Sequence, residues 1–492
     1  MPTLNILSDG QAHTAAFTGT PTLAQALAAA GFAMAQPCGG RGTCGKCAVT
    51  ALSGEVSVPT PAETRAGVRL ACQAVLHGDA TVTLPAAVQW TAIQTSTQTA
   101  ALGRPMAGRY GAAVDLGSTT IAAKVYDLAG GALLGEHAAL NPQTTIAADV
   151  MGRLSHALSG KLQTLTSLAQ AAVADAVAGA CKAAGVPAVQ AQTIAGNTVM
   201  LTLLTGGNPA PLATAPFIAD SLFGLETTLG GVPTYLPPCA GAFMGADLTC
   251  AALATNLCDM QETALLADIG TNGELMLWHQ RKLYAASAPA GPAFEGGEIS
   301  QGVGGIRGAI DKVWVEGASL GCRVIGGGQA VGVCGSGLID AIAALLRLGL
   351  VDASGAADAT RFLLRDAVYV TAGDIRAVQL AKAAIAAGIR VLLQTANASP
   401  AEVKRLLLAG GFGSQLAVES AASIGLVPAQ FAARAAAVGN AALSGAALLL
   451  LDTQLRAKAQ QIASNAQVVQ LGGDEGFEKH FMAEMDFPFA EE

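Results

Sequence analysis

The chain has 492 residues, of which 52% are hydrophobic and 13% charged, with a formal net charge of -8. That is enough apolar material for about three domains, and the acidic balance excludes a basic surface of the kind that neutralises phosphates along DNA or RNA. The opening Met1-Pro2-Thr3-Leu4-Asn5 has neither the basic stretch nor the apolar core of a leader, and no uninterrupted run of roughly 18 apolar residues occurs. The expectation is a cytoplasmic protein that engages neither nucleic acid nor membrane.

The first elements are short. An alternating run Thr3-Leu4-Asn5-Ile6-Leu7 predicts a strand, a second follows near Thr14-Ala15-Ala16-Phe17, and Thr22 to Ala30 predicts a helix. Next come Cys38, Cys44 and Cys47 on a loop that contains Gly39, Gly40 and Gly42. A predicted strand Cys47-Ala48-Val49-Thr50-Ala51-Leu52, a fourth cysteine in Leu70-Ala71-Cys72 and a closing strand Ala80-Thr81-Val82-Thr83-Leu84-Pro85 complete this part. The spacing C-x5-C-x2-C-x24-C puts three thiolates on one glycine-rich loop, where backbone N–H groups turn toward bridging sulfides without a Cβ clash, and takes the fourth from a distant strand. Residues 1–89 therefore have the layout of a β-grasp 2Fe-2S ferredoxin, with Cys38, Cys44, Cys47 and Cys72 as metal ligands. Cys181, Cys239, Cys250, Cys258, Cys322 and Cys334 are scattered without paired spacing and read as buried small hydrophobes. Residues 90–109 lose the apolar period and read as a tether.

From Tyr110 onward, short β-rich runs alternate with long Ala/Leu helical stretches such as Leu162 to Ala184 and Ile375 to Gln394, which predicts α/β layers. Two turns there resemble each other: Asp115-Leu116-Gly117-Ser118-Thr119-Thr120 and Asp268-Ile269-Gly270-Thr271-Asn272-Gly273-Glu274. In each, the Asp is suited to hold magnesium through water, the Gly lets backbone approach a phosphate, and the hydroxyl and N–H groups that follow face phosphate oxygens. One such turn is weak evidence; two of them suggest duplicated halves facing across a cleft. A third segment, Leu406-Leu407-Leu408-Ala409-Gly410-Gly411-Phe412-Gly413-Ser414, reads as a strand ending in a glycine turn where Gly410, Gly411 and Gly413 leave room for an adenosine. No P-loop lysine motif is present.

This order of two phosphate turns and an adenosine turn resembles the superfamily of acetate and sugar kinases, heat-shock chaperone ATPases and actin. The resemblance implies a two-lobed, ribonuclease H-like duplicated ATPase, with lobe I over 110–260 and lobe II over 261–492, the C-terminal part being a candidate to return to lobe I. It also implies two helices crossing between the lobes. Their counterparts are Gly241-Ala242-Phe243-Met244-Gly245-Ala246-Asp247, running on to Ala254, and Val438-Gly439-Asn440-Ala441-Ala442-Leu443-Ser444-Gly445-Ala446. Asp247 is a candidate to reach the attacking water or a metal-bound water, alongside a bland reading as a helix-surface carboxylate.

With both halves in view, the chain resembles the reductive activators of corrinoid-dependent enzymes, in which an N-terminal 2Fe-2S ferredoxin is fused to an ATPase of this superfamily. The resemblance spans almost the full length and includes Asn141-Pro142-Gln143, Gly196-Asn197-Thr198-Val199-Met200, Ala290-Gly291-Pro292-Ala293-Phe294-Glu295-Gly296, Val333-Cys334-Gly335-Ser336-Gly337-Leu338-Ile339-Asp340 and Met485-Asp486-Phe487-Pro488. Two features depart from the common pattern: the first cysteine gap has five residues, as in adrenodoxin-like ferredoxins, and the tether has no room for the linker domain of larger members. The resemblance implies a 2Fe-2S cluster and Mg-ATP as cofactors, and ATP-dependent return of cobalt(II) corrinoid to cobalt(I). The implied partners are a corrinoid protein of a methyltransferase or O-demethylase system and an unidentified electron donor, and a homodimer is compatible. Three alternatives stay open on sequence: a small-molecule kinase, an activator of radical-type dehydratases, and a non-enzymatic electron carrier with a docking ATPase-like module.

Overall fold

The computed structural model describes residues 1–8, 11–32, 34, 40, 42, 47–66, 68–84, 102–270, 272–410 and 415–488. In the N-terminal part, strand Thr3–Ser8 lies between Gln11–Ala16, antiparallel, and Leu76–Thr83, parallel, and the latter pairs with Ala51–Val56. Alternation turns Leu4 and Ile6 inward. Helix Leu23–Ala29 starts at Thr22, which forms a reciprocal capping box with Gln25, and buries Leu23, Ala24, Ala26 and Leu27 in the same core.

The strand expected over Cys47–Leu52 is two strands. Ala48–Val49 pairs with Arg69–Leu70, whereas Ala51–Val56 joins the main sheet, and Thr50 between them donates its N–H to Thr83 O at 3.0 Å. Helix Pro61–Ala66, which the sequence pattern did not announce, brings in Glu63, whose buried carboxylate accepts from Thr60 N (2.7 Å), Arg69 Nε (2.9 Å) and Leu70 N (2.9 Å). Burial pushes the Glu63 carboxyl up, but these bonds outweigh it and hold it below its ordinary value.

The rest of the chain repeats one topology. The first six-stranded sheet runs Phe223–Leu229, Val232–Pro238, Ala191–Gly196, Tyr110–Leu116, Thr120–Asp127, Leu133–Leu140; the second runs Ala435–Gly439, Val403–Ala409, Thr263–Ile269, Gly273–His279, Lys282–Ala288, Ala466–Val468. In each, the strand that carries the first aspartate opens an antiparallel three-stranded meander and is joined on its other side by a parallel strand, and that strand by a further parallel one. Helix Leu162–Ala184 covers the first sheet through Leu165, Ala169, Val173, Ala176 and Ala180. Helix Ala372–Thr395, opened by a Thr371–Asp374 capping box, does the same for the second. That helix alone, among the described residues, is long and apolar enough to cross a membrane, and 78% of its apolar window is buried by the protein itself.

The inner faces of the two sheets meet around helices Ala246–Ala254 and Ala441–Leu451. Both crossing helices start later than the sequence suggested. Gly241 to Gly245 form a turn closed by Gly241 N to Met244 O (3.1 Å), and Val438 belongs to strand Ala435–Gly439, so helix begins only at Ala246 and at Ala441. At their contact a Cβ on Gly445 would overlap the Cys250 carbonyl, so glycine sets how closely the helices approach. The end of the expected tether is held rather than loose: Met106 N donates to Leu450 O at 2.9 Å, and Met106 is buried in the core between the sheets. The six scattered cysteines are buried or half-buried, as expected of small core residues.

Candidate functional site

Asp115 and Asp268 are each the sixth residue of a seven-residue strand, Tyr110–Leu116 and Thr263–Ile269. Register makes them equivalent: Asp115 pairs with Ala195 on one side and Ala122 on the other, Asp268 with Ala409 and Glu274. Both therefore leave their sheets at the same end, where the following glycine turn begins.

The first turn is shaped by buried side chains. Gly117 has no room for a Cβ, which would lie 2.5 Å from Thr120 O. Fully buried Asn141 donates from Nδ2 to Gly117 O at 2.8 Å, and fully buried Arg153 donates from Nη2 to Ser118 O. Arg153 is itself fixed by Ala147 O (3.1 Å) and Gln143 Oε1 (3.1 Å). In trans peptides the N–H points opposite to the preceding carbonyl, so anchoring these two carbonyls aims the N–H groups of Ser118 and Thr119 to the other side, as an anion cradle requires. Burial depresses the Arg153 guanidinium to about 10, with Asp149 and Glu295 pulling it back up. Asn141-Pro142-Gln143 thus acts on the Gly117–Thr119 turn from behind.

In the second turn, Gly270 N donates to Asn272 O at 3.1 Å, and a Cβ on Gly270 would lie 3.3 Å from Glu295 Oε1. Glu295 ends the short turn Pro292–Glu295, and its Oε2 accepts from Thr119 Oγ1 at 2.6 Å, so one carboxylate spans the two turns. Gly410 adopts φ +86°, and a Cβ there would overlap Asp268 Oδ1; the third segment therefore starts against the second aspartate. Thr271, Gly411 and Gly413 lie outside the described residues.

Asp247 is the second residue of the first crossing helix, with Oδ1 accepting from Leu248 N at 2.8 Å. The preceding Gly245 has no space for a Cβ because Asn197 Cα lies there, and Thr198 Oγ1 donates to Gly241 O at 2.6 Å. The Gly196-Asn197-Thr198 stretch thereby seats Asp247 beside the strand next to that of Asp115.

These acids are crowded and poorly compensated. Burial raises Asp115 to about 6 against the pull of Asn440, Asp268 to about 7 with help from Asp115 and Glu295, and Asp247 to about 8, with Asp115 and Asp268 adding to burial. Glu274, buried opposite Asp268, is pushed well above its usual range by burial and then by Asp247, Asp268 and Asp115. A set of carboxylates that resist ionisation together fits a place for a divalent cation, whose charge would hold them ionised. Among the described residues no three acids stand close enough to ligate one ion directly, so a magnesium ion beside these glycine turns would be held through water.

At the N-terminal site, Cys47 and Cys72 are buried on adjoining backbones. Cys72 N donates to Cys47 Sγ at 3.5 Å, and Gln73 Nε2 donates to Cys72 Sγ at 3.7 Å and to Gly40 O at 2.7 Å. N–H groups directed at both sulfurs fit thiolates that carry the charge of an iron-sulfur cluster. Cys38 and Cys44 lie outside the described residues.

Sequence reasoning missed Arg153, Glu274, Glu295 and Asn440 as site residues. Three of them stood inside stretches already singled out, and Glu274 required the hairpin register to show that it faces Asp268.

The family description "2Fe-2S iron-sulfur cluster binding domain" matches residues 6–77, "RACo middle region" 110–260, and "C-terminal domain of RACo the ASKHA domain" 262–492. "Corrinoid activation enzyme RamQ" of Eubacterium limosum is 34% identical over 414 residues, covering 76% of this chain and 69% of that protein. The chain belongs to the reductive activators of corrinoid-dependent enzymes. Among other activators, the "[Co(II) methylated amine-specific corrinoid protein] reductase" of Methanosarcina barkeri is 27% identical over 295 residues, 55% of this chain and 54% of that one. A solved "Reductive activator for corrinoid,iron-sulfur protein" superposes with a TM-score of 0.73 at 25% identity, covering 99% of this chain and 98% of that one. The activator fold is thus a ferredoxin domain followed by an actin-like ATPase.

Proposed function

We propose that this chain is an ATP-dependent reductive activator that returns the cobalt(II) corrinoid of a methyltransferase or O-demethylase system to cobalt(I). One electron leaves the ferredoxin domain and converts cobalt(II) to cobalt(I). The bound cluster supplies that one-electron reductant, and Mg-ATP supplies binding energy that differs between conformations of the ATPase.

The observation that carries the reading is the placement of Asp115 and Asp268 at equivalent strand ends, with Glu295 between the turns that follow them, in the same chain as Cys47 and Cys72, whose sulfurs receive N–H groups. Cys38, Cys44, Cys47 and Cys72 hold the cluster. Asp115 and Asp268 hold magnesium, Gly117, Ser118, Thr119, Gly270, Thr271 and Asn272 receive the phosphates, and Gly410, Gly411 and Gly413 seat the adenosine. Asp247, on the crossing helix, orients water near the terminal phosphate. An external donor reloads the cluster after each transfer, and a homodimer is compatible with this scheme. Asp268→Ala tests it: ATP-dependent cobalt(I) formation should be abolished while the cluster spectrum stays intact, and loss of the cluster would contradict the assignment.

A further inference from the structure

The stretch Ala290 to Gly296 enters the function above only through the position of Glu295, with no role in binding or release. The structure places its Glu295 between the phosphate turns, with Oε2 on Thr119 Oγ1 at 2.6 Å and Oε1 beside Gly270. Thr119 comes from the first half of the ATPase and Glu295 from the second, 176 positions later, so the bond ties the halves together at the mouth of the site. A threonine hydroxyl has one proton to donate. Given to Glu295, it is withheld from a phosphate oxygen.

The segment that follows Glu295 is anchored at its far end. Gly296, at φ +79°, has no room for a Cβ against Val303, so the turn is tightly folded. Ser300 N donates to Asp374 Oδ1 at 2.6 Å, at the cap of helix Ala372–Thr395, and Gln301 Oε1 accepts from Tyr369 N at 2.6 Å. A displaced Glu295 would pull on a short, taut connection whose other end is the N-terminus of the long core helix of the second half.

We infer that Glu295 is an internal competitor for the phosphate position: Thr119 binds either Glu295, which latches the two halves, or a nucleotide phosphate, which breaks that bond between the halves. This rests on the nucleotide-site reading above and deepens it by naming the residue through which phosphate occupancy changes the contact between halves. Mutual repulsion between the Glu295 carboxylate and an incoming phosphate favours the exchange in the same direction.

The test uses the full-length chain and two readouts. In titrations with Mg-ATP, Glu295→Gln, which keeps size and removes the charge, should bind more tightly than the natural chain by about ten-fold, the scale of one charge-assisted hydrogen bond. Thr119→Val, which deletes the hydroxyl that both rivals use, should show no such gain. In hydrogen exchange without nucleotide, Glu295→Gln should speed exchange in residues 296–303, and Mg-ATP should do the same to the natural chain. Equal or weaker Mg-ATP binding by Glu295→Gln, or unchanged exchange in 296–303, overturns the latch. A natural chain that takes up no Mg-ATP, with Glu295→Gln still loosening 296–303, would overturn the nucleotide site and the competition with it, while leaving the hydrogen bond as a structural tie.

Discussion

Asn440 Nδ2 donates to Asp115 Oδ2 at 2.7 Å across 325 positions of sequence, while Asn440 Oδ1 accepts from Leu443 N at 2.8 Å. One side chain therefore caps the second crossing helix and orients the aspartate before the first glycine turn. The first crossing helix has no side-chain cap; Gly245 precedes it, and its second residue is Asp247, the acid proposed for the site. Asn440→Ala should cost about 1 kcal/mol of stability as a lost cap. It should also push Asp115 further up, because the bond it removes favours the ionised carboxylate. Denaturant unfolding would read the first effect, and an alkaline displacement of the pH profile of Mg-ATP affinity the second.

The raised carboxyls make a pH prediction with a definite sign. With Asp115 at about 6, Asp268 at about 7 and Asp247 at about 8, against 3.8 in the unfolded chain, the folded state holds more protons than the unfolded state through this window. Their contribution to stability is present at low pH and is lost as pH rises from about 4 to about 8. In chelator, the melting temperature should fall between about pH 4 and pH 8, and the stabilisation given by Mg-ATP should grow over the same range as a cation takes the place of protons. Parallel melting curves with and without Mg-ATP would remove the carboxylate cluster from the account.

Much of this was legible in the sequence. An aspartate one residue before the end of an apolar run, followed by glycine, located two equivalent strand-end turns, and the Ala/Leu period located helix Leu162–Ala184 to the residue. What was not legible depends on distance or register. Glu274 faces Asp268 only because of the hairpin pairing, and Glu295 and Asn440 reach their partners across 176 and 325 positions. The helix start at Ala246 depended on a turn that Gly241 closes with Met244, which composition does not distinguish from a first helical turn. Cys47 to Leu52 reads as one strand by propensity, yet Ala48 and Val49 pair with Leu70 and Arg69 while Thr50 and Ala51 both meet Thr83 in the main sheet.

Close packing between the crossing helices gives a second stability prediction. Gly445→Ala places a methyl against the Cys250 carbonyl and should destabilise by about 1–3 kcal/mol through overpacking, lowering the unfolding midpoint of the ATPase. The cluster spectrum should not change. An unaltered midpoint would mean that the helices have slack at this contact.

Glu63 offers a test confined to the ferredoxin part. Its carboxylate fixes Leu70 N two residues before Cys72, so Glu63→Gln should release iron to a chelator faster than the natural chain, with Mg-ATP affinity unchanged. Its carboxyl is held below the ordinary value, so this support is present at neutral pH and is lost as pH falls through the folded-state value. Iron release that is equally fast in both proteins would separate Glu63 from the cluster.

The most direct measurement of the central claim mixes the chemically reduced chain, under strict anaerobiosis, with a cobalt(II) corrinoid protein encoded near it, and follows cobalt(I) by absorbance with and without Mg-ATP. The account predicts cobalt(I) that depends on Mg-ATP and disappears in both Cys47→Ala and Asp268→Ala, with Asp268→Ala retaining its cluster. Cobalt(I) at the same rate without Mg-ATP, or no cobalt(I) from a chain with an intact cluster and bound Mg-ATP, would contradict it.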